Sequence, residues 1–226
     1  MSALSELALA TLAFVGGHFL LSSAPLRRPL AGMLGERAFA GLYSVLALAA
    51  FAWMLTSYGA APHVELWPAL PTLRFIPLLV MPMAVLLVTG GYSQRNPTAV
   101  MQPVSTTDRD LAPGILTVTR HPVMWGVAFW ALSHIPANGD AASVILFGGL
   151  AILALGGTVA IDAKRRARDP EAFARLEAVT SNLPFAAIRE GRTRLPRIQP
   201  WRLLLAAALY FALLAAHPWI AGVPAM

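Results

Sequence analysis

The chain contains no cysteine, so a thiolate cannot serve as a nucleophile, a metal ligand or a disulfide partner. Charged residues are also scarce, at 12% of the sequence against 57% hydrophobic residues. The sequence has no phosphate-binding glycine loop, nucleophile elbow or metalloprotease motif, which leaves hydrolase chemistry without support. Any metal chemistry would therefore depend on imidazole, carboxylate or backbone oxygen.

Long uncharged apolar runs dominate the sequence, and its mean hydropathy is +0.63. As helices, runs of about 20 residues span the ~30 Å hydrocarbon core of a bilayer. The runs predict an all-α fold, a polytopic transmembrane helical bundle of about six spans that forms a single domain over 1–226. The predicted spans are 4–24, 38–60, 75–93, 116–137, 141–161 and 203–222. A cleaved signal peptide is the alternative for the first run, but a basic segment before it is missing, so a retained helix is expected.

Basic residues lie mainly in the connections after spans one, three and five, which hold 16 of the 17 Lys and Arg. By the positive-inside rule this face is cytoplasmic, and both termini are then periplasmic. The protein is expected in a bacterial inner membrane as a multi-pass protein. The net charge of +6 indicates membrane orientation and contact with anionic lipids, not nucleic-acid binding, because no aromatic residues interleave the basic stretches. The oligomeric state stays open.

The longest predicted segment outside the membrane covers 162–200. Asp169-Pro170-Glu171 is typical of a helix start, with a capping residue, a proline and an acid in the first turn. Apolar residues then repeat at roughly helical spacing, at Phe173, Leu176 and Val179. This pattern predicts a cytoplasmic amphipathic helix between spans five and six that lies on the inner leaflet. A merely solvated helix is the alternative.

Two features of span five and its surroundings predict close helix packing. The glycine pairs Gly148-Gly149 and Gly156-Gly157 offer small surfaces that let helices approach in lipid. The turn 136–140 is short, so spans four and five should be antiparallel neighbours. The polar stretch 93–111 is expected to be an irregular cytoplasmic connection.

Two histidines, His18 and His134, lie inside predicted spans. A titratable side chain in an apolar span is costly, so it usually faces the protein interior. Neutral imidazole binds iron, copper and zinc, which makes both residues candidate ligands of a metal or of haem. The alternative is a histidine bonded to a neighbouring carbonyl. His18 and His134 are predicted to differ in membrane depth by about 8–13 Å. His217 is predicted at nearly the depth of His134, so His134 and His217 form a rival pair of candidate ligands.

Arg120 and His121 lie at the cytoplasmic boundary of span four, just before Pro122. Together they could hold a phosphate, a carboxylate or a propionate. Snorkelling boundary side chains are the alternative. His63 lies in an outer loop and is expected to be solvated.

Three stretches resemble the NnrU family of bacterial membrane proteins. The resemblance implies an integral membrane protein of that kind, associated with denitrification and nitric oxide metabolism. A non-enzymatic accessory role for nitrogen-oxide enzymes is one form this could take. The stretches are Gly17-His18-Phe19 through Leu26-Arg27 with Gly35-Glu36-Arg37, Thr119-Arg120-His121-Pro122 through Ser133-His134 to Ala137-Asn138-Gly139-Asp140, and Thr180-Ser181-Asn182-Leu183-Pro184-Phe185.

NnrU proteins are similar to the zeta-carotene isomerases of plants and cyanobacteria, membrane enzymes that use haem b. The resemblance implies haem b with His18 and His134 as iron ligands, and a cis–trans isomerase acting on a hydrophobic small molecule. We expect Arg120 and His121 to be further cofactor-binding groups. This chain has Ala131 where the plant enzymes have a cysteine, so that thiolate is not available as an alternative ligand.

The segment from Arg120-His121-Pro122 to Gly126 also resembles the isoprenylcysteine and phospholipid methyltransferases of membranes. That resemblance implies S-adenosylmethionine bound at the cytoplasmic face around Arg120, His121 and Glu171. The paired glutamates of those enzymes are missing from the segment that ends at Glu171. A membrane methyltransferase is therefore the alternative function.

Overall fold

The computed structural model describes residues 2–68, 70–96, 98 and 111–223. Within these ranges the regular structure is helical, apart from one isolated antiparallel bridge between Glu65 and Asp140. The predicted connection 93–111 falls mostly outside the described residues. The helices are α1 (Ala3–Ser22), α2 (Ala24–Leu34), α3 (Glu36–Ala60), α4 (Phe75–Tyr92), α5 (Pro122–Asn138), α6 (Ala141–Arg168), α7 (Pro170–Val179), α8 (Ala186–Arg189) and α9 (Pro200–Ala221).

The all-α prediction is confirmed in the described part of the chain, which holds five helices long and apolar enough to cross a membrane. These are α1, α3, α4 with the 3-10 turn that precedes it, α6 and α9. Helix α5 is shorter, with 17 residues, and is not among them. It packs against both α4 and α6, so it belongs to the same bundle.

Helices α1 and α6 run parallel and meet through glycines. A Cβ atom on Gly149 would collide with the methyl group of Thr11, and one on Gly156 would lie 2.8 Å from the Phe19 ring. A Cβ on Gly148 would meet nothing within 4 Å. The predicted role of glycines in close packing is therefore confirmed at Gly149 and Gly156, whereas Gly148 faces open space.

Helix α4 runs antiparallel to its neighbours α5 and α9. A Cβ on Gly126 of α5 would lie 2.7 Å from the backbone oxygen of Ala84, so α4 and α5 touch almost backbone to backbone. At one end of α9, the Arg202 guanidinium donates to the Ser93 carbonyl at 3.1 Å. Two turns further along α9, the Tyr210 hydroxyl donates to a carbonyl of α4, also at 3.1 Å.

Two shorter helices differ from the sequence expectations. Helix α2 lies in the connection after the first predicted span, and it is followed by Gly35, whose φ of 83° suits glycine. Helix α7 forms where an amphipathic helix was predicted, with the Asp169 carboxylate accepting from the Ala172 amide at 2.9 Å. The exposed fractions of Phe173 and Leu176 are only 1% and 0%. The apolar side of α7 is thus covered by protein.

Candidate functional site

A buried ion pair joins the segment before α5 to the last turns of α6. Nε of Arg120 donates to both carboxylate oxygens of Asp162 at 3.0 Å, and Nη2 donates to Oδ2 at 2.6 Å. The exposed fractions are 6% for Arg120 and 7% for Asp162. Charge-assisted bonds of this kind are strong, and their geometry is well defined because the guanidinium is planar.

The same carboxylate binds a second partner, His121, which lies just before α5. Nε2 of His121 donates to Oδ1 of Asp162 at 2.7 Å, and the residue is 2% exposed. Burial lowers the pKa of His121 below its ordinary value of 6.5, and the hydrogen bond to Asp162 opposes that effect without cancelling it. The imidazole is therefore neutral at pH 7.

Helix α7 closes this cluster from the other side. Glu177 accepts from Arg120 at 3.4 Å and from Arg166 at 3.0 Å. Both guanidinium groups also lie over the Phe173 ring, at 5.5 and 5.0 Å from its centroid. We call Arg120, His121, Asp162, Arg166 and Glu177 the ionic cluster, and the end of the bundle where it lies the cluster end.

The sequence stretches around 119–125 and 180–185 form one unit beside the ionic cluster. The Arg120 amide donates to the Ser181 carbonyl at 2.9 Å. The side chain of Asn182 accepts from the Trp125 indole at 3.2 Å and donates to the Thr158 hydroxyl at 2.9 Å. Because these polar groups bind one another, the unit fixes the ends of α5, α6 and α7.

A cavity of about 870 Å³ lies between α4, α5 and α9. Along α5 its lining runs from Gly126 to Asn138, a length of about 18 Å at ~1.5 Å per residue. Most of the lining is apolar. Its polar groups gather where α5 joins α6, which we call the turn end: His63, Arg74, His134, Asn138, Asp140 and His217.

Two histidines in the lining of this cavity each bond to a backbone carbonyl through the same ring nitrogen. Nδ1 of His134 bonds to the Trp130 carbonyl, and Nδ1 of His217 bonds to the Val223 carbonyl, each at 2.7 Å. A carbonyl only accepts, so in each ring Nδ1 carries the proton. Nε2 then holds the lone pair that could bind a metal or accept a hydrogen bond.

His18 lines a different, smaller cavity of about 220 Å³ between α1 and α3. Its Nδ1 donates to the Phe14 carbonyl at 2.8 Å. The His18 ring lies 4.5 Å from the Phe14 ring and 5.6 Å from the Tyr43 ring, measured between centroids. Nε2 is again the nitrogen with the lone pair.

The structure does not bring His18 and His134 together. The His134 ring lies 5.3 Å from that of Phe147 on α6, whereas Phe19, the residue after His18, lies against Gly156. Phe147 and Gly156 are nine positions apart, so the two levels differ by about 13 Å. Two imidazoles on one metal have nitrogens about 4 Å apart, since each bond is about 2 Å long. One haem does not fit between this pair.

Arg120 and His121 also lie far from His134. Helix α5 separates His121 from His134 by 13 positions, about 20 Å. Among the described residues, no group of three or more histidine or acidic side chains could hold a metal ion.

Sequence reasoning missed Asp162. It is the last acid before the basic run at the end of α6, beyond the predicted span. A lone carboxylate at the same membrane boundary as Arg120 and His121 was the available signal, because a buried cation at such a boundary needs an anion.

This chain is similar to a protein family and to two plant enzymes. The family model described as "NnrU protein" matches residues 6–225. The 15-cis-zeta-carotene isomerase of Zea mays chloroplasts is 40% identical over 84 residues, 37% of this chain and 23% of that protein. The enzyme of the same name from Arabidopsis thaliana is 39% identical over 83 residues, again 37% and 23%. The chain thus matches under a quarter of these relatives' length. No solved structure matches.

Proposed function

The chain belongs to the NnrU family, and from that premise we propose that it is a membrane isomerase that holds an extended carotenoid-type polyene in the cavity between α4, α5 and α9. The observation that carries the proposal is the shape of this cavity, long and mostly apolar, with its charged side chains and histidines at the turn end. The two plant relatives are named as isomerases of such a molecule.

The side chains that line the cavity would bind the substrate by apolar and aromatic contacts. Apolar side chains of three helices line most of the space, which suits a long hydrocarbon ligand. Trp130 and Phe147 lie in the lining with ring centroids 5.5 Å apart, so they can stack against a conjugated chain. A cis–trans isomerisation needs no net oxidation.

The family likeness implies haem b, whose iron would supply the chemistry of the isomerisation when bound. His18 and His134 do not fit one haem in this structure, so no step of the isomerisation is derived through the cofactor. Arg120 and His121 bind Asp162 at the cluster end and are assigned a structural part here. Haem binding itself stays a prediction.

The membrane arrangement is part of the proposal. We infer six crossings, with α5 as the sixth: its 17 residues reach the lower limit of about 17 for a transmembrane helix, and it runs beside α4 and α6. The cluster end carries most of the basic residues and would be cytoplasmic, which makes the termini periplasmic in a bacterial inner membrane. Membrane lipids are then its surroundings.

A methyltransferase finds no support. The relatives above are isomerases by name. Arg120 and His121 bind Asp162 and line neither of the two cavities described, and Glu171 is exposed. A part in denitrification stays a prediction, tested by deleting the gene and assaying nitrite and nitric oxide turnover.

The test of the isomerase uses two matched valine substitutions. Val127 lines the cavity, whereas Val159 on α6 is 63% exposed. Purified protein, expressed with ample haem supply, would be mixed with 15-cis-zeta-carotene, and the isomers separated by chromatography. We expect V127F to slow conversion by about tenfold or more, because overfilling a packed space costs about 1–3 kcal/mol.

V159F is the control and should convert the polyene as the unsubstituted protein does. No conversion by the unsubstituted protein would refute the activity. Full activity of a correctly folded V127F protein would refute the cavity as the substrate site.

A further inference from the structure

Helix α2 lies at the cluster end, in the connection that leads from α1 to α3. It carries two arginines, and the last turns of α6 carry further cations nearby. We propose that this corner of the bundle binds the phosphate headgroup of one anionic phospholipid from the adjoining leaflet. The residues involved line neither of the two cavities, so the site is independent of the proposed isomerase activity.

Arg27 of α2 and Lys164 of α6 are neighbours, although 137 positions separate them in the chain. The Phe19 ring of α1 lies against Gly156 of the parallel helix α6. Arg27 is eight positions after Phe19, and Lys164 is eight positions after Gly156. The charge of Arg27 is close enough to act on the Lys164 ammonium as a repulsion. Because like charges repel, an anion that lies near both would stabilise the pair.

The two cations keep donors available for such an anion. Nη2 of Arg27 donates to Glu36 at 2.6 Å, the one side-chain hydrogen bond that Arg27 forms with a described residue. The guanidinium also lies over the Phe39 ring, 5.7 Å from its centroid. These contacts orient Arg27 and leave most of its five N–H donors available. Lys164 has no acidic partner within 4 Å in the part of the chain that the structure describes.

Two further cations lie next to this pair in the chain. Arg28 follows Arg27, and Arg168 lies one turn after Lys164 on the same side of α6. Both are exposed. We call Arg27, Arg28, Lys164 and Arg168 the basic patch. Among the described residues Glu36 is the acid paired with it, so the patch keeps a net positive charge.

The outer side of α2 is apolar. Leu26 and Met33 are seven positions apart and therefore share one side of the helix, where their exposed fractions are 41% and 83%. Ala31, on the opposite side, is buried against the protein. A helix that exposes apolar side chains beside arginines lies in the membrane interface, with its apolar side among the acyl chains. The basic patch is then at the level of the lipid headgroups.

A phospholipid matches both parts of this surface. Lysine and arginine bind phosphate oxygens through charge-assisted hydrogen bonds, and basic residues next to a membrane attract anionic lipids. The exposed apolar side of α2 would contact the acyl chains of the same molecule. A soluble phosphate would use the cations and leave the apolar side chains of α2 without a partner.

The experiment measures lipid binding to the full chain in detergent by native mass spectrometry. The probes are phosphatidylglycerol and phosphatidylcholine with the same acyl chains. We expect one phosphatidylglycerol per chain to bind at least about fivefold more tightly than phosphatidylcholine. K164Q and R27Q should each remove most of this preference, because one cation at an anionic headgroup contributes about fivefold in affinity. K164R keeps the charge and should keep the preference.

Two arginines outside the basic patch provide matched controls. Arg194 lies in the connection that leads to α9, which packs on α4, and Arg74 lies at the turn end. Both are exposed. R194Q and R74Q should bind phosphatidylglycerol as the unsubstituted protein does. A loss in R194Q equal to that in K164Q would overturn the proposal, because the lipid would then respond to the total charge of this end.

Two further measurements distinguish a lipid from a free phosphate. M33Q removes an apolar contact without changing any charge, so it should weaken phosphatidylglycerol binding by about twofold or more. Inorganic phosphate at the same concentration as the lipid should not displace it. Displacement by phosphate together with unchanged binding by M33Q would identify a free-phosphate site and overturn the lipid assignment. Equal binding of the two lipids by the unsubstituted protein would also overturn it.

Discussion

Nε2 of His121 lies 2.7 Å from Oδ1 of Asp162, a residue 41 positions later in the chain. The same carboxylate receives the Arg120 guanidinium. One acid on α6 therefore neutralises a buried cation and orients a buried imidazole at the start of α5. A buried carboxylate with two strong donors of this kind favours its charged form.

Replacing Asp162 should destabilise the bundle without changing the lining of either cavity. D162N removes the negative charge and leaves Arg120 buried with Glu177, at 3.4 Å, as its acidic partner among the described residues. Breaking a buried ion pair by removing one partner costs about 3–5 kcal/mol. Unfolding of the purified protein, followed by circular dichroism in detergent, measures the loss.

The control for D162N is E36Q. Glu36 pairs with Arg27 at 2.6 Å, but the two side chains are 70% and 48% exposed. Exposed pairs contribute about 0–1 kcal/mol, so E36Q should unfold almost as the unsubstituted protein does. Equal losses in the two variants would contradict a special role for the ionic cluster.

Acid should weaken the fold through His121. Its pKa is lowered in the folded protein by burial, relative to 6.5, with Arg120 and Arg165 adding to the effect and Asp162 opposing it. The unfolded chain then binds more protons between the lowered pKa and 6.5, so stability is full above about pH 6.5 and falls as the pH drops through that window.

The slope of this loss cannot exceed one proton, about 1.36 kcal/mol per pH unit. Unfolding would be measured from pH 7.5 to 5 for the unsubstituted protein and for H121Q. The variant should lack this component of the pH dependence. Identical profiles for the two proteins would count against the buried neutral imidazole.

Substituting alanine for two neighbouring glycines on α6 should change the stability of the protein by different amounts. A methyl group at Gly149 collides with Thr11 of α1, so G149A should destabilise by about 1–3 kcal/mol. G148A adds a methyl group in open space and should change stability by no more than about 0.5 kcal/mol. Thermal unfolding of both variants in one detergent tests the pair, and G149A as stable as G148A would contradict this helix contact.

Hydropathy predicted the long helices well, because crossing a bilayer demands length and apolarity whatever the neighbours are. Helix α1 ends at Ser22, close to the predicted end of the first span. Helix α2 was not predicted, because prolines such as Pro25 and Pro29 are typical of loops. Proline near a helix start costs little, and Pro25 lies in the first turn of α2.

The candidate site could be predicted only in part. A pattern along one helix predicts depth, and it already gave His18 and His134 different depths. It does not show which helices are neighbours, so the pair that the resemblance implied could not be compared with the packing of α1 on α3 and α6. Asp162 was missed for the same reason: its partners lie far away in the sequence.

The parallel packing of α1 on α6 has a consequence for how the protein is made. Helix α1 leaves the ribosome before α6, and the glycines that receive Thr11 and Phe19 belong to this later helix, synthesised more than a hundred residues after them. Until α6 enters the membrane, that face of α1 has only lipid or the insertion machinery to contact. The bundle is therefore completed in an order different from that of its helices in the chain, because α1 makes this contact only after α6 has been inserted.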